Sequence, residues 1–193
     1  MTPRAFAAVA LIGCAAPIGH ERPDAAIADD AAAPTTGKLA TTQNPDGTYT
    51  TRVDAQSMTE WTYADFETRS EVPASAPWDL RFQRFHVSAN GGVTGDGGVE
   101  LAPVTGVAFT AVTAPATGFV TDAADGDGDG LPDYALDQGD SWYAYDVDRH
   151  VLTPRPIVWV VHTDGGATIK LEILSYYDDA GTSGWLTLHW GTP

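Results

Sequence analysis

From Thr48 to the C-terminus, short runs rich in Val, Ile, Tyr, Phe, Trp and Thr are cut apart by Gly, Asp, Asn and Pro. That punctuation leaves no stretch able to sustain a long amphipathic helix, so it drives the chain to an all-β solution. The strand-like segments are TYTTRVDA, EWTYADFET, WDLRFQRFHVSA, GVAFTAV, SWYAYDV, PIVWVVHT, ATIKLEILSYY and WLTLHW. IVWVVH is apolar on both faces, which suits a central strand. In the next run Ile169, Leu171 and Ile173 share one face, while Thr168, Lys170 and Glu172 share the other. Asp164-Gly165-Gly166 between these runs is a hairpin signal. DAQSMTE is expected to form a brief helical turn. The fold class that follows is antiparallel all-β, as two sheets or one strongly twisted sheet around a Trp- and Tyr-rich core.

The chain has 193 residues, which suits one domain with a sizeable core, and 43% of them are hydrophobic, too many for a disordered chain. The net charge of −16 argues against nucleic acid or an anionic membrane surface as partner, because both would repel it. Residues 15 to 47 show no sustained apolar period and are rich in Ala, Pro, Thr and Asp. They are expected to be a flexible tether, with the folded domain spanning 48–193.

Cys14 is the only cysteine, which excludes an internal disulfide. It follows MTPRAFAAVALIG, in which Arg4 precedes an apolar run too short to span a bilayer. Leu11-Ile12-Gly13-Cys14 looks like a bacterial lipobox. Residues 1–13 are thus expected to be a lipoprotein signal peptide, Cys14 the lipidation site, and the mature protein lipid-anchored at the cell envelope.

The stretch ADGDGDGLPDYALD, residues 124–137, places Asp125, Asp127 and Asp129 two apart, then Gly130, the Leu131 carbonyl and Asp133. Oxygen donors at that spacing, with Gly at the sixth position, resemble a calcium loop of EF-hand or thrombospondin type 3 kind. Position 12 is Leu136 rather than Glu, and Asp137 falls one residue late. The candidate Ca²⁺ ligands are therefore Asp125, Asp127, Asp129, Leu131, Asp133 and Asp137. A solvated Asp/Gly spacer would show the same composition.

The order GTYTTRVDAQSMTEWTYADFET, APWDLRFQRFHVSANGG, GVTGDGG, DSWYAYDV and IVWVVHTDGGATIKLEILSYYDDAGTSGWLTLHW resembles the HmuY-like family of bacterial surface lipoproteins. The resemblance covers roughly residues 47 to 190. It implies a right-hand-like all-β fold and a haemophore function: uptake of haem, or a related porphyrin, and delivery to an outer-membrane receptor. It also implies two axial iron ligands, His or Met, from loops flanking the strand that matches SWYAYDV. Here the preceding loop is the Asp-rich stretch, which holds neither residue, and the nearest imidazole after the strand is His150.

The candidate haem ligands are His150, His162 and His86. His150 is expected in a loop. His162 is expected at the edge of the core, bonded to backbone. His86 alternates with Arg84 and Ser88 and is expected to face solvent. His189 is expected at the rim. Trp61, Trp78, Trp142, Trp159, Tyr143 and Tyr145 are expected to build the core, with one or two lining a pocket. No GxSxG, HExxH or phosphate loop is present, so a binding protein is favoured over an enzyme. The many carboxylates leave a glycosidase open. Two further functions fit the same residues. One is a calcium-stabilised surface module with a non-haem ligand or protein partner; the other is a purely structural envelope lipoprotein.

Overall fold

The computed structural model describes residues 37–113, 116–139 and 141–193, all within one compact unit, Pro34–Pro193. The expected signal peptide and Cys14 lie outside the described residues. The elements are β1 (Leu39–Gln43), β2 (Tyr49–Asp54), β3 (Thr62–Asp65), β4 (Ser70–Val72), β5 (Leu80–Gln83), β6 (His86–Ala89), β7 (Glu100–Thr105), a 3₁₀ turn (Phe109–Ala111), β8 (Tyr143–Asp146), β9 (Val151–Pro154), β10 (Ile157–His162), β11 (Thr168–Tyr177) and β12 (Ser183–Gly191). Every strand pair is antiparallel. The large sheet has the order β1-β2-β12-β11-β10-β7, the smaller one β4-β3-β5-β6, and β8-β9 stands apart as a hairpin.

β10 is an interior strand, and its apolar run is buried on both faces. Trp159 and Val161 join Leu171, Leu188, Leu80 and Phe82 in the main core. Val158 and Val160 turn to the opposite face, where Phe109, Val112 and Phe119 cover them. Ile169, Leu171 and Ile173 share the main-core face as their spacing requires. Lys170 is nevertheless buried on the other face: its ammonium donates to the Val112 carbonyl at 2.9 Å and lies 4.6 Å from the Phe109 ring centre.

Four sequence expectations need correction. GVAFTAV is not a strand: Gly106 takes φ 74, and Phe109 and Val112 then cap the outer face from a 3₁₀ turn. DAQSMTE is not helical: the Ser57 hydroxyl accepts the Thr59 and Glu60 amides in a local side-chain turn. WDLRFQRFHVSA is a hairpin, broken at Arg84-Phe85, because Arg84 adopts φ 53. Its guanidinium donates to the Gln56 carbonyl and the Ser183 hydroxyl, and these bonds offset the backbone strain. The end of the expected tether is ordered, since β1 pairs with β2 along its whole length. β7, hidden in the sequence because Pro103 interrupts it, is an edge strand, where a missing N–H need cost no ladder bond.

The acidic stretch is an excursion from this body. Asp122, fully buried, accepts from the Ser88 hydroxyl (2.8 Å), the Ala89 amide (3.0 Å), the Thr94 hydroxyl (2.8 Å) and the Ala135 amide (2.8 Å). Ala123 pairs with Asp133 directly above, closing the loop's stem. Gly92, at φ 66, lets the chain pass where a Cβ would sit 1.9 Å from the Asp122 carbonyl oxygen. Burial pushes the Asp122 carboxyl above its ordinary range, and its donors oppose that shift.

Asp79 is a second buried carboxyl. It accepts the Phe66 amide at 2.8 Å and the Asp164 amide at 2.9 Å. Burial first, then nearby Glu67 and Asp164, push its pKa to about 7 against the pull of those two amides.

Two outcomes are expected. Asp122→Ala removes the acceptor of the Ser88 hydroxyl and of the Ala89 and Ala135 amides and should cost more than about 3 kcal/mol in urea unfolding; an effect under about 1 kcal/mol would contradict the anchoring role. Because the folded pKa of Asp79 is raised from 3.8 to about 7, its contribution is fully present below pH about 4 and is lost as pH rises to about 7. Unfolding midpoints across that window should show the loss, and Asp79→Asn should flatten it.

Candidate functional site

A cleft of about 360 Å³ opens between the β5–β6 turn and the β8–β9 hairpin, lined by Phe85, Tyr143, Tyr145 and Leu152. The alternation of β8 puts Tyr143 and Tyr145 on one side of the hairpin. Leu152 stands opposite Tyr145 in the ladder. Phe85 comes from the two-residue turn forced by Arg84 and meets Tyr143 edge-on, with ring centres 5.7 Å apart. The hairpin is fastened to the body from below. Buried Trp142 donates its indole N–H to the Phe85 carbonyl at 3.0 Å, and the Leu152 amide donates to the Tyr177 hydroxyl at 2.9 Å.

His86 adjoins this cleft through Phe85, the two rings lying 4.1 Å apart. Its Nδ1 is 2.9 Å from Asp137 Oδ2. It does not face solvent as its alternation suggests, because the turn at Arg84-Phe85 resets the strand face. Asp137 is deeply buried; desolvation pushes its pKa to about 6, and His86 pulls the other way. Its Oδ1 is buried without a hydrogen-bond partner among the described residues. An imidazole fixed by a carboxylate at Nδ1 presents Nε2, the arrangement usual for a metal-ligating histidine.

His150 flanks the cleft at the hairpin end. It sits at φ 56, and its Nδ1 lies 2.6 Å from the Tyr145 hydroxyl oxygen. The tight tip is built by Asp146, whose Oδ1 accepts the amides of Asp148 and Arg149. His162 is elsewhere: it stacks on Phe119 at 4.1 Å and binds the Glu100 side chain at 2.9 Å, not backbone. His189 is bonded to Glu172 and Thr48 and packs on Phe109. Two of the three candidate haem ligands therefore border one cleft, and His162 does not.

In the acidic loop, one carboxylate oxygen each from Asp125, Asp127 and Asp133 can lie within 4.8 Å of one another. Asp125 also accepts the Gly128 and Gly130 amides, and Asp129 accepts the Leu131 amide, so the loop wraps on its own carboxylates. The Asp129 carboxylate is outside this group. Asp137 is excluded from it by its burial against His86. A second group, Asp65, Glu67 and Asp79, leaves no signal in the sequence because its members come from separate strands and turns. A further, more polar hollow of about 410 Å³ lies beneath the loop, bounded by Val120, Asp133, Gln138 and Trp159. Among the described residues no helix is long and apolar enough to cross a membrane.

Comparison with curated protein sequences finds no match. Solved structures with the same fold include a candidate lipoprotein from Bacteroides fragilis (22% identity, TM-score 0.57, covering 78% of this chain and 91% of that one). A candidate HmuY-like heme binding protein from Bacteroides vulgatus matches at 19% identity and TM-score 0.55, over 74% of this chain and 90% of that one. An apo HmuY analogue from Tannerella forsythia matches at 16% identity and TM-score 0.57, over 80% and 96%. The family model described as HmuY protein matches residues 57–190, and on that match the chain belongs to the HmuY family.

Proposed function

We propose that this protein captures haem, or a related porphyrin, in the cleft between Phe85 and the β8–β9 hairpin. The observation that carries this reading is an aromatic cleft with His86 packed behind its Phe85 and His150 bonded to its Tyr145. A flat, largely apolar macrocycle is recognised by stacking and desolvation, which Phe85, Tyr143, Tyr145 and Leu152 supply. Asp137 holds the His86 ring in position. Family membership and the description of the Bacteroides vulgatus protein support the same reading. The function is binding rather than catalysis, in keeping with that family.

The envelope setting completes the proposal. The protein is anchored through lipidated Cys14 at the outer membrane and hands its cargo to an outer-membrane receptor. Tyr145, Val147 and Val151 stand exposed on the hairpin and offer that receptor an apolar contact beside the cargo. A second reading concerns the acidic loop, where convergence of Asp125, Asp127 and Asp133 favours a weak, structural Ca²⁺.

Haemin titrated into the full chain should give a saturable one-to-one Soret band. Phe85→Ala should weaken it about tenfold or more. His86→Ala and His150→Ala should weaken it too, while His162→Ala should leave it unchanged. A band that never saturates, or one indifferent to Phe85, would sink the proposal. Calorimetry with millimolar Ca²⁺ should show binding at about 10⁻⁴ to 10⁻³ M, abolished in Asp125→Asn; a flat trace leaves the loop as a solvated spacer.

A further inference from the structure

The cleft's aromatic lining carries polar atoms only on its two tyrosines. They differ in surroundings. Tyr143 is half-buried, and desolvation pushes its phenol away from ionisation. Tyr145 is 50% exposed, and its hydroxyl is held 2.6 Å from His150 Nδ1. That separation is short for a neutral hydrogen bond. The contact is built by the backbone: Asp146 caps the tip of the hairpin, and His150, at φ 56, turns its ring back over the strand toward Tyr145. With its proton on Nε2, His150 accepts at Nδ1 and is the base for this phenol. Tyr145 lines the cleft, and its phenol oxygen keeps lone pairs beyond the one hydrogen bond to His150.

We propose that Tyr145 Oη is an iron donor of this cleft and that His150 acts through it as a positioning base. This rests on the reading that the cleft takes haem. As the oxygen bonds to the ferric iron, the O–H bond breaks and the proton passes to His150 Nδ1. The phenolate's negative charge is matched by the new imidazolium, and no electron is transferred. Phenolate is a hard anionic oxygen ligand, found on haem iron where the ferric state is to be kept. A phenolate oxygen at Tyr145 therefore favours ferric over ferrous haem. The arrangement also accounts for a haem cleft whose preceding loop supplies neither His nor Met.

The test titrates haemin and iron-free protoporphyrin IX into the full chain in parallel, and records electron paramagnetic resonance and resonance Raman spectra of the ferric complex. The wild type should show high-spin ferric iron with an iron–phenolate vibration. Tyr145→Phe should lose that vibration and bind haemin about tenfold more weakly, with protoporphyrin IX affinity changed by less than about twofold. His150→Ala should bind haemin about tenfold more weakly and shift the iron–phenolate vibration, with protoporphyrin IX affinity changed by less than about twofold. A low-spin complex with unchanged haemin affinity in Tyr145→Phe would overturn the Tyr145 assignment while leaving haem binding intact. An unchanged iron–phenolate vibration in His150→Ala would overturn the role given to His150. If neither haemin nor protoporphyrin IX saturates the wild type, the haem reading itself falls, and this assignment with it.

Discussion

The buried carboxylate of Asp122 is the contact on which the architecture beside the cleft depends. It gathers β6 through Ser88 and Ala89, the following turn through Thr94, and the far end of the acidic excursion through Ala135. Fixing Ala135 also fixes its neighbours on both sides. Tyr134 then meets both Trp61 and His86, and Asp137 reaches the His86 imidazole. A burial that is costly for the charged form is offset by four donors, and the gain is a defined position for a long, highly charged insertion.

The two acidic groups show why a count of carboxylates says little alone. Asp125, Asp127 and Asp133 are close in sequence and reach into solvent, where their mutual repulsion is screened. Asp79 is buried near Glu67 and Asp164, and there the same repulsion adds to desolvation and drives its pKa to about 7. The first group stays at the surface. The second relieves its charge by taking up a proton, with two backbone amides satisfying what remains.

Much of the sheet architecture is legible in the sequence because it rests on local pattern. The two-faced burial of IVWVVH, the alternation of Ile169, Leu171 and Ile173, and the turn at Asp164-Gly165-Gly166 all appear where the residues place them. β7 is illegible because Pro103 reads as a breaker unless the strand is known to be an edge. Alternation misplaces His86 because nothing near it announces that a non-glycine residue, Arg84, will take a left-handed conformation. The bonds that compensate Arg84 come from Gln56 and Ser183, far along the chain in both directions. His150 is legible as a neighbour of the site, but its partnership with Tyr145 depends on a hairpin whose second strand the residues barely signal. Asp137 reads as a member of the acidic run, whereas burial gives it to His86.

The β8–β9 hairpin belongs to neither sheet. It hangs from Trp142 and Tyr177 by a few bonds; Leu152 and Tyr143 pack back against the main core, whereas Tyr145 and the tip residues do not join it. Substitutions at its tip therefore leave the packing of both sheets untouched. The tip can therefore drift among descendants of this fold independently of folding stability, one short ribbon being exchanged while the sheets beneath it stay the same.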